Sequence, residues 1–325
     1  MPWNCRRSRS ANPSSNRGIA SVNKAAIKKC SHLMRLVQEL NWDMTSSNNF
    51  AKEIARFVER VGTSYTYQEY ADCTLLRRFA TAVSEDHLGD GNAVRELGHW
   101  AMFKDDRRTC YIAPDGHATD PNGVIPLVTH SNRMLVASSI DFYRPMQIGQ
   151  VVALEMTLKD IRKRCGASGP LLLVDTERTI LQAGELVLSE VQTMAYLANR
   201  PSGTANDAKA TTSDPCDEVW TPTAVDLFRF SAATFNAHRI HYDLPYARDV
   251  EGYPALVVQG PFTAAKLLAF AKRFDDRHLR HFAYRATAPL FVDRPIRFYR
   301  SEADDKVLAI RDDGVTAMTA VVSFA

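Results

Sequence analysis

The chain has 325 residues, 45% hydrophobic and 24% charged, with a net charge of +3, a length that suits two domains or one duplicated core. Residues 1–38 hold eight of the basic side chains and no acid, so the other 32 basic residues face 37 acidic ones and no basic nucleic-acid-binding body is indicated. Six cysteines without C-x-x-C spacing argue against a disulfide or zinc framework, and no apolar run reaches the ~18–20 residues of a membrane span.

Residues 1–45 form a basic leader or tail. Its Arg- and Ser-rich, acid-poor texture fits a mitochondrial transit peptide. A disordered tail, or a start at Met34 or Met44, fits as well, and the three readings stay open. The matching locations are the mitochondrial matrix or a bacterial-type cytoplasm.

Residues 46–60 predict an amphipathic helix with Phe50, Ile54, Phe57 and Val58 on one face. Residues 71–84 predict a second. A loop-rich region follows from about Asp86 to Thr129, with a Gly89-Asp90-Gly91 turn and Pro114, Pro121 and Pro126. From Met134 the texture changes. Val151–Leu158, Leu171–Ile180 and Glu185–Leu197 read as successive strands with short connections, which indicates an antiparallel sheet. Residues 198–217 are small, polar and Pro/Gly-containing, and mark a linker. Beyond it, Leu227–Ala233 reads as the start of a turn-rich polar segment. Gly260–Phe274 reads as a helix with Pro261 in its first turn. Strands are expected at His281–Ala288, Ile296–Phe298, Val307–Arg311 and Thr316–Phe324. Each half therefore ends in a run of strands, a repeated architecture without a clear sequence repeat.

The chemistry concentrates in one segment. Asn236, His238, Arg239, His241 and Asp243 lie together, and Gly260 opens a helix shortly afterwards. Histidine is the side chain best placed to exchange protons near neutral pH. Asn236 orients water but cannot act as a base. Free N–H groups at a helix start favour anions, and a glycine there admits a substrate oxygen close to the backbone. Together they suit addition of water to an α,β-unsaturated thioester, whose carbonyl oxygen becomes enolate-like. Separately, each signal also fits a purely structural role.

The segment is similar to the active-site motif of the MaoC-type, or hydratase 2, enzymes. That motif runs roughly Gly-Asp-x-Asn-Pro-Ile-His-x-Asp, then Ala, Gly and a final His-Gly. This chain reads Phe235-Asn236-Ala237-His238-Arg239-Ile240-His241-Tyr242-Asp243, then Ala247, Gly252 and Gln259-Gly260. The resemblance puts His241 on the catalytic histidine and Asn236 where a catalytic aspartate usually stands. It implies that His241 transfers the proton and Asn236 positions the water. Gly260, Asp243, Arg239 and Gln259 are expected to serve the oxyanion and the substrate.

The stretch from Phe235 to Pro261 resembles the subgroup of mesaconyl-CoA-type hydratases and type 2 hydroxyacyl-thioester dehydratases, which carries the Asn form. So do His99-Trp100, Asp115-Gly116-His117, Asn132-Arg133-Met134, Phe142-Tyr143-Arg144-Pro145 and Phe282-x-x-Arg285. The resemblance implies an α+β double hotdog, in which two antiparallel sheets each wrap a central helix. Residues 46–197 would be a substrate-binding hotdog and 218–325 a catalytic one. It also implies no cofactor, and a homodimer suits the fold.

His99, Asp115 and His117 match no standard metal spacing and are expected to shape loops over the acyl pocket. Arg133, Arg144, Lys163 and Arg239 are candidates for CoA phosphates or a substrate carboxylate, with surface ion pairs as the other reading. Three functions stay open. The first is hydration of a 2-enoyl-CoA, with a small dicarboxylic acyl group such as mesaconyl or itaconyl favoured. The second is 3-hydroxyacyl-ACP dehydration in mitochondrial fatty acid synthesis. The third is a non-catalytic module that binds an acyl-CoA or acyl-ACP thioester.

Overall fold

The computed structural model describes residues 57–83, 93–104, 107–119, 123–125, 132–166, 169–197, 216–275, 277–301 and 305–325. The expected leader and nearly all of the expected linker lie outside the described residues. So does the helix expected at 46–60, apart from its last residues. Gly62–Ala325 is one compact unit, and the structural description below concerns it.

Ten strands form one antiparallel sheet: β1 (Ser64–Tyr70), β2 (Asn132–Phe142), β3 (Val151–Gly166), β4 (Gly169–Gln182), β5 (Glu185–Leu197), β6 (Glu218–Trp220), β7 (Leu279–Ala286), β8 (Ile296–Ser301), β9 (Lys306–Ile310) and β10 (Thr316–Phe324). Their spatial order is β1-β3-β4-β5-β2-β7-β10-β9-β8-β6. From either outer edge to the middle, each half runs first, third, fourth, fifth, second strand. The halves therefore share one topology, and their equivalent strands β2 and β7 meet at the seam. There Ala137 pairs with Arg285 and Asp141 with His281, antiparallel. Antiparallel pairing of equivalent strands gives the halves a local two-fold relation. The repeated architecture expected from the sequence is thus a duplicated sheet, continuous across the seam.

Three α-helices lie wholly among the described residues: α1 (Cys73–Val83), α2 (Ala224–Ala233) and α3 (Gly260–Ala271). Helix α3 is buried almost all round, through Phe262, Thr263, Ala264, Ala265, Leu267, Leu268, Phe270 and Ala271. A short helix that is apolar on every face belongs inside a fold, and α3 packs on β7, β8, β9, β10 and β2. The chain is an α+β double hotdog, with α3 as the wrapped helix of its second half.

Several elements depart from the expectations. Leu227–Ala233 lies within α2, whose start is a capping box. The Thr223 hydroxyl accepts from Asp226 N–H, while the Asp226 carboxylate accepts from Thr223 N–H at 2.8 Å. The sequence signal was Thr-x-x-Asp rather than the Thr-x-x-Glu of the usual box. β2 is a full strand despite its polar Ser138 and Ser139, because Ser138 is buried and donates to Glu190 at 2.7 Å. The strands β1 and β6 are sheet edges. β1 is largely exposed, so it lacks the alternation that betrays a half-buried strand.

Glu190 explains His99-Trp100. Its buried carboxylate accepts from Trp100 Nε1 at 3.0 Å and Gln192 Nε2 at 2.9 Å, and pairs with His99 Nε2 at 3.2 Å. These bonds fasten the loop around Trp100 to the first half's sheet. No helix among the described residues is long and apolar enough to cross a membrane.

Candidate active site

The motif begins where α2 stops. Thr234 N–H donates to Phe230 O at 3.0 Å and Asn236 N–H to Ser231 O at 2.8 Å. Between them Phe235 takes a left-handed φ of 50° and reverses the chain. The Asn236 Oδ1 then accepts His238 N–H at 3.0 Å, a side-chain turn typical of Asn. This bond occupies the carbonyl end of the amide. No hydrogen bond joins Asn236 to the His241 ring among the described residues.

His241 closes a short 3-10 turn, Arg239–His241, and is buried. Val257 anchors it twice. Val257 N–H donates to Ile240 O at 3.0 Å, and His241 Nδ1 donates to Val257 O at 2.7 Å. A carbonyl can only accept, so Nδ1 carries the hydrogen and Nε2 presents a lone pair. Val257 precedes Gly260 by three residues, so at most about 11 Å of chain separates the anchor from the start of α3. Because Pro261 lacks an N–H, that start offers the N–H groups of Gly260 and Phe262.

Burial pushes the His241 pKa down to about 4 from an ordinary 6.5; the Val257 bond opposes the shift, and His117 adds to it. The ring is thus neutral near pH 7, with its Nε2 lone pair unprotonated. The unfolded chain binds a proton between pH 6.5 and 4 that the folded chain refuses. Stability is full above 6.5 and falls as pH drops toward 4, by about 3 kcal/mol for this residue. Urea unfolding from pH 7.5 to 4 should show His241→Asn losing about 3 kcal/mol less than wild type. Equal slopes would mean that His241 is not held neutral.

The other expected site residues turn toward protein partners. Arg239 Nε and Nη2 donate to Asp243 Oδ2 at 3.0 and 2.7 Å, and Nη1 donates to Pro114 O at 3.1 Å. Its guanidinium lies 4.0 Å from the Tyr246 ring centre. Asp243 Oδ1 accepts Tyr246 N–H at 3.1 Å. The Gln259 amide is buried and donates from Nε2 to Leu227 O and Ser231 Oγ, both at 2.9 Å. Leu227 O fixes that orientation, and Gln259 Oε1 has no hydrogen-bond partner among the described residues.

The sequence did not disclose that first-half residues reach the motif. Ile112 and Ala118 pair across a small hairpin whose turn is Pro114-Asp115-Gly116. Gly116 has φ 93°, and a Cβ there would lie 1.8 Å from Ala237 O. Arg239 N–H donates to Asp115 O at 2.9 Å. The His117 ring lies 4.1 Å from that of His238, which lies 5.3 Å from that of His241. His117 Nδ1 and Asp115 Oδ2 are 2.9 Å apart. Pro-Asp-Gly is a turn signal, but its docking partner more than a hundred residues away carries none.

Asp115, Arg133, His238, Glu251 and Tyr253 line a space of about 10 Å³ at this junction, about the size of one water. A cleft of about 440 Å³, lined by His99 and Lys272 among others, lies toward the far end of α3. The site follows the motif's histidines, because they can exchange protons and His241 is anchored to Val257, three residues before the start of α3, whereas cavity size carries no chemistry.

The sequence pattern of the hydroxyacyl-thioester dehydratase type 2 family matches residues 95–292. Mesaconyl-C(4)-CoA hydratase of Chloroflexus aurantiacus is 37% identical over 232 residues, covering 70% of this chain and 82% of that protein. The mitochondrial hydroxyacyl-thioester dehydratase type 2 of Schizosaccharomyces pombe is 32% identical over 121 residues, 36% of this chain and 40% of its own. HtdX of Mycobacterium tuberculosis superposes with a TM-score of 0.61 at 20% identity, covering 81% of this chain and all of that one. A MaoC-like dehydratase of Phytophthora capsici gives 0.56 at 14% identity, over 82% of this chain and 97% of that one. These two likenesses bear on the fold.

Proposed function

Because the chain belongs to the hydroxyacyl-thioester dehydratase type 2 family and is a hydro-lyase, we propose that it adds water reversibly to a 2-enoyl-CoA, with a small dicarboxylic acyl group of the mesaconyl or itaconyl kind preferred. The observation that carries the chemistry is His241, neutral, anchored through Nδ1 and close in chain to the start of α3. Water attacks C3, and His241 Nε2 takes its proton. Electrons move from the double bond to the thioester oxygen, where the N–H groups at Gly260 stabilise the enolate. Return of a proton to C2 completes the addition, and no step needs a cofactor. Asn236, whose Oδ1 is held by His238 N–H, donates from Nδ2 to the attacking water. Arg239, Asp243 and Gln259 hold the walls of the site through the bonds described above. Residues 46–197 supply the substrate-binding half and 218–325 the catalytic half.

Two observations support the dicarboxylate. The relative from Chloroflexus is a mesaconyl-C(4)-CoA hydratase. In addition, Arg133, beside His238, has a buried Nε without a hydrogen-bond partner among the described residues. A guanidinium donor placed there suits a second carboxylate. The test is kcat/KM on mesaconyl-CoA, itaconyl-CoA, crotonyl-CoA and an enoyl-ACP. Arg133→Met should raise KM for mesaconyl-CoA by about 10-fold and leave crotonyl-CoA within about 2-fold. Equal rates on all four substrates would remove the preference.

The alternative is a 3-hydroxyacyl-ACP dehydratase of the mitochondrial matrix. The likeness to the fission yeast protein and the acid-free residues 1–38 favour it, and the enoyl-ACP arm decides. A homodimer belongs to the same reading, supported by Val225 and Phe228 exposed on one face of α2.

A further inference from the structure

We propose that Asp115 and His117, on the first half's hairpin, are a positioning pair for the hydratase site, supplying the carboxylate that the motif lacks at Asn236. This rests on the hydratase reading above.

The motif's amide cannot act as a carboxylate, and its Oδ1 is already taken by His238 N–H at 3.0 Å. Two other carboxylates, Asp115 and Glu251, line the small space beside His238. Glu251 is engaged by the Tyr246 hydroxyl at 3.0 Å. Asp115 is bonded to the cluster itself, since Oδ2 lies 2.9 Å from His117 Nδ1 and Oδ1 accepts His117 N–H at 2.9 Å. Two bonds to one residue fix the ring, which packs on His238, and His238 meets His241 edge to face. The chain Asp115–His117–His238–His241 thus runs from a carboxylate to the proton-transfer ring.

The hairpin is built to stay there. Arg239 binds Asp115 O and Pro114 O at 2.9 and 3.1 Å, and Gly116 lets the turn lie on Ala237. Burial disfavours charge on Asp115, yet the His117 bonds more than offset it and hold the carboxyl ionised, below its usual range. The groups facing the cluster are Arg133, which disfavours protonation of His117 and His238, and Glu251, which favours protonation of His117. Asp115 likewise favours a proton on both histidines. Removing its charge therefore makes the cluster harder to protonate.

The test is Asp115→Asn in the full chain, with crotonyl-CoA and mesaconyl-CoA as substrates. The expected result is a kcat lowered by at least about 10-fold with KM within about 2-fold. The acid limb of the kcat–pH profile should move, since His117 is the charged group that acts on the His241 ring, and the variant should unfold in a single transition above the assay temperature. A hairpin that merely folds against the motif would not move that limb. If Asp115→Asn unfolds, His117→Gln is read by kcat and KM in the same way. Wild-type kcat and an unmoved pH profile in a folded variant would overturn the pair. Failure of the underlying reading looks different, because wild type would then hydrate neither thioester, or His241→Asn would remain active.

Discussion

His241→Ala lowers kcat/KM for hydration of crotonyl-CoA by about 10²- to 10⁴-fold, the usual contribution of a positioned acid–base group. The reason is local. Nδ1 is committed to Val257 O at 2.7 Å, so Nε2 is the one ring atom left to accept a proton. Alanine also strands the buried Val257 carbonyl, which costs about 1–3 kcal/mol of stability. His241→Asn separates the two effects. Its Nδ2 can donate to Val257 O much as Nδ1 does, yet an amide takes no proton near neutrality. Activity should fall as far as in the alanine variant, with most of the stability retained. Near-wild-type turnover by a folded His241→Asn would show that the residue's value lies in its anchor and would end the proton-transfer role.

His241 was legible in the sequence because its signal is local. The spacing from Asn236 to Asp243 and on to Gln259-Gly260 lies within a single segment, and α3 begins at Gly260 as expected. The strands Glu185–Leu197 and Thr316–Phe324 were legible at both ends, since each is long and apolar. What a side chain spends its bonds on was not legible. Arg239 and Asp243 look like ligands for a charged substrate, yet they bind each other and Tyr246. Gln259 sits where the family often has histidine, and its amide clamps α2 to the start of α3. Nor was the docking of Asp115–His117 onto Ala237–His238 legible. Contacts between such distant segments arise from the β2–β7 seam, which brings the halves together and has no one-dimensional signature.

Gly116→Ala is the sharpest probe of that docking. A Cβ at this position would lie 1.8 Å from the Ala237 carbonyl oxygen, 2.5 Å from its carbon and 3.0 Å from the His238 Cα. All three are backbone atoms, so no side chain can swing aside. The φ of 93° adds strain for any residue with a Cβ, about 1–2 kcal/mol. The hairpin must lift, loosening the Arg239 bonds to Asp115 and Pro114 and drawing His117 off His238. A displacement of about 1 Å in a catalytic array costs about 10²-fold in rate, and that is the loss of kcat/KM expected. Strain alone accounts for a fall of a few degrees in melting temperature. Gly184→Ala is the control. Gly184 has a comparable φ of 79° in the β4–β5 turn, but nothing lies within 4 Å of its Cβ position. It should lose similar stability and keep full activity. Equal activity in the two variants would mean that the hairpin's contact with the motif does not matter to the reaction. A selective loss in Gly116→Ala would place part of the catalytic apparatus in the first half of the duplicated fold.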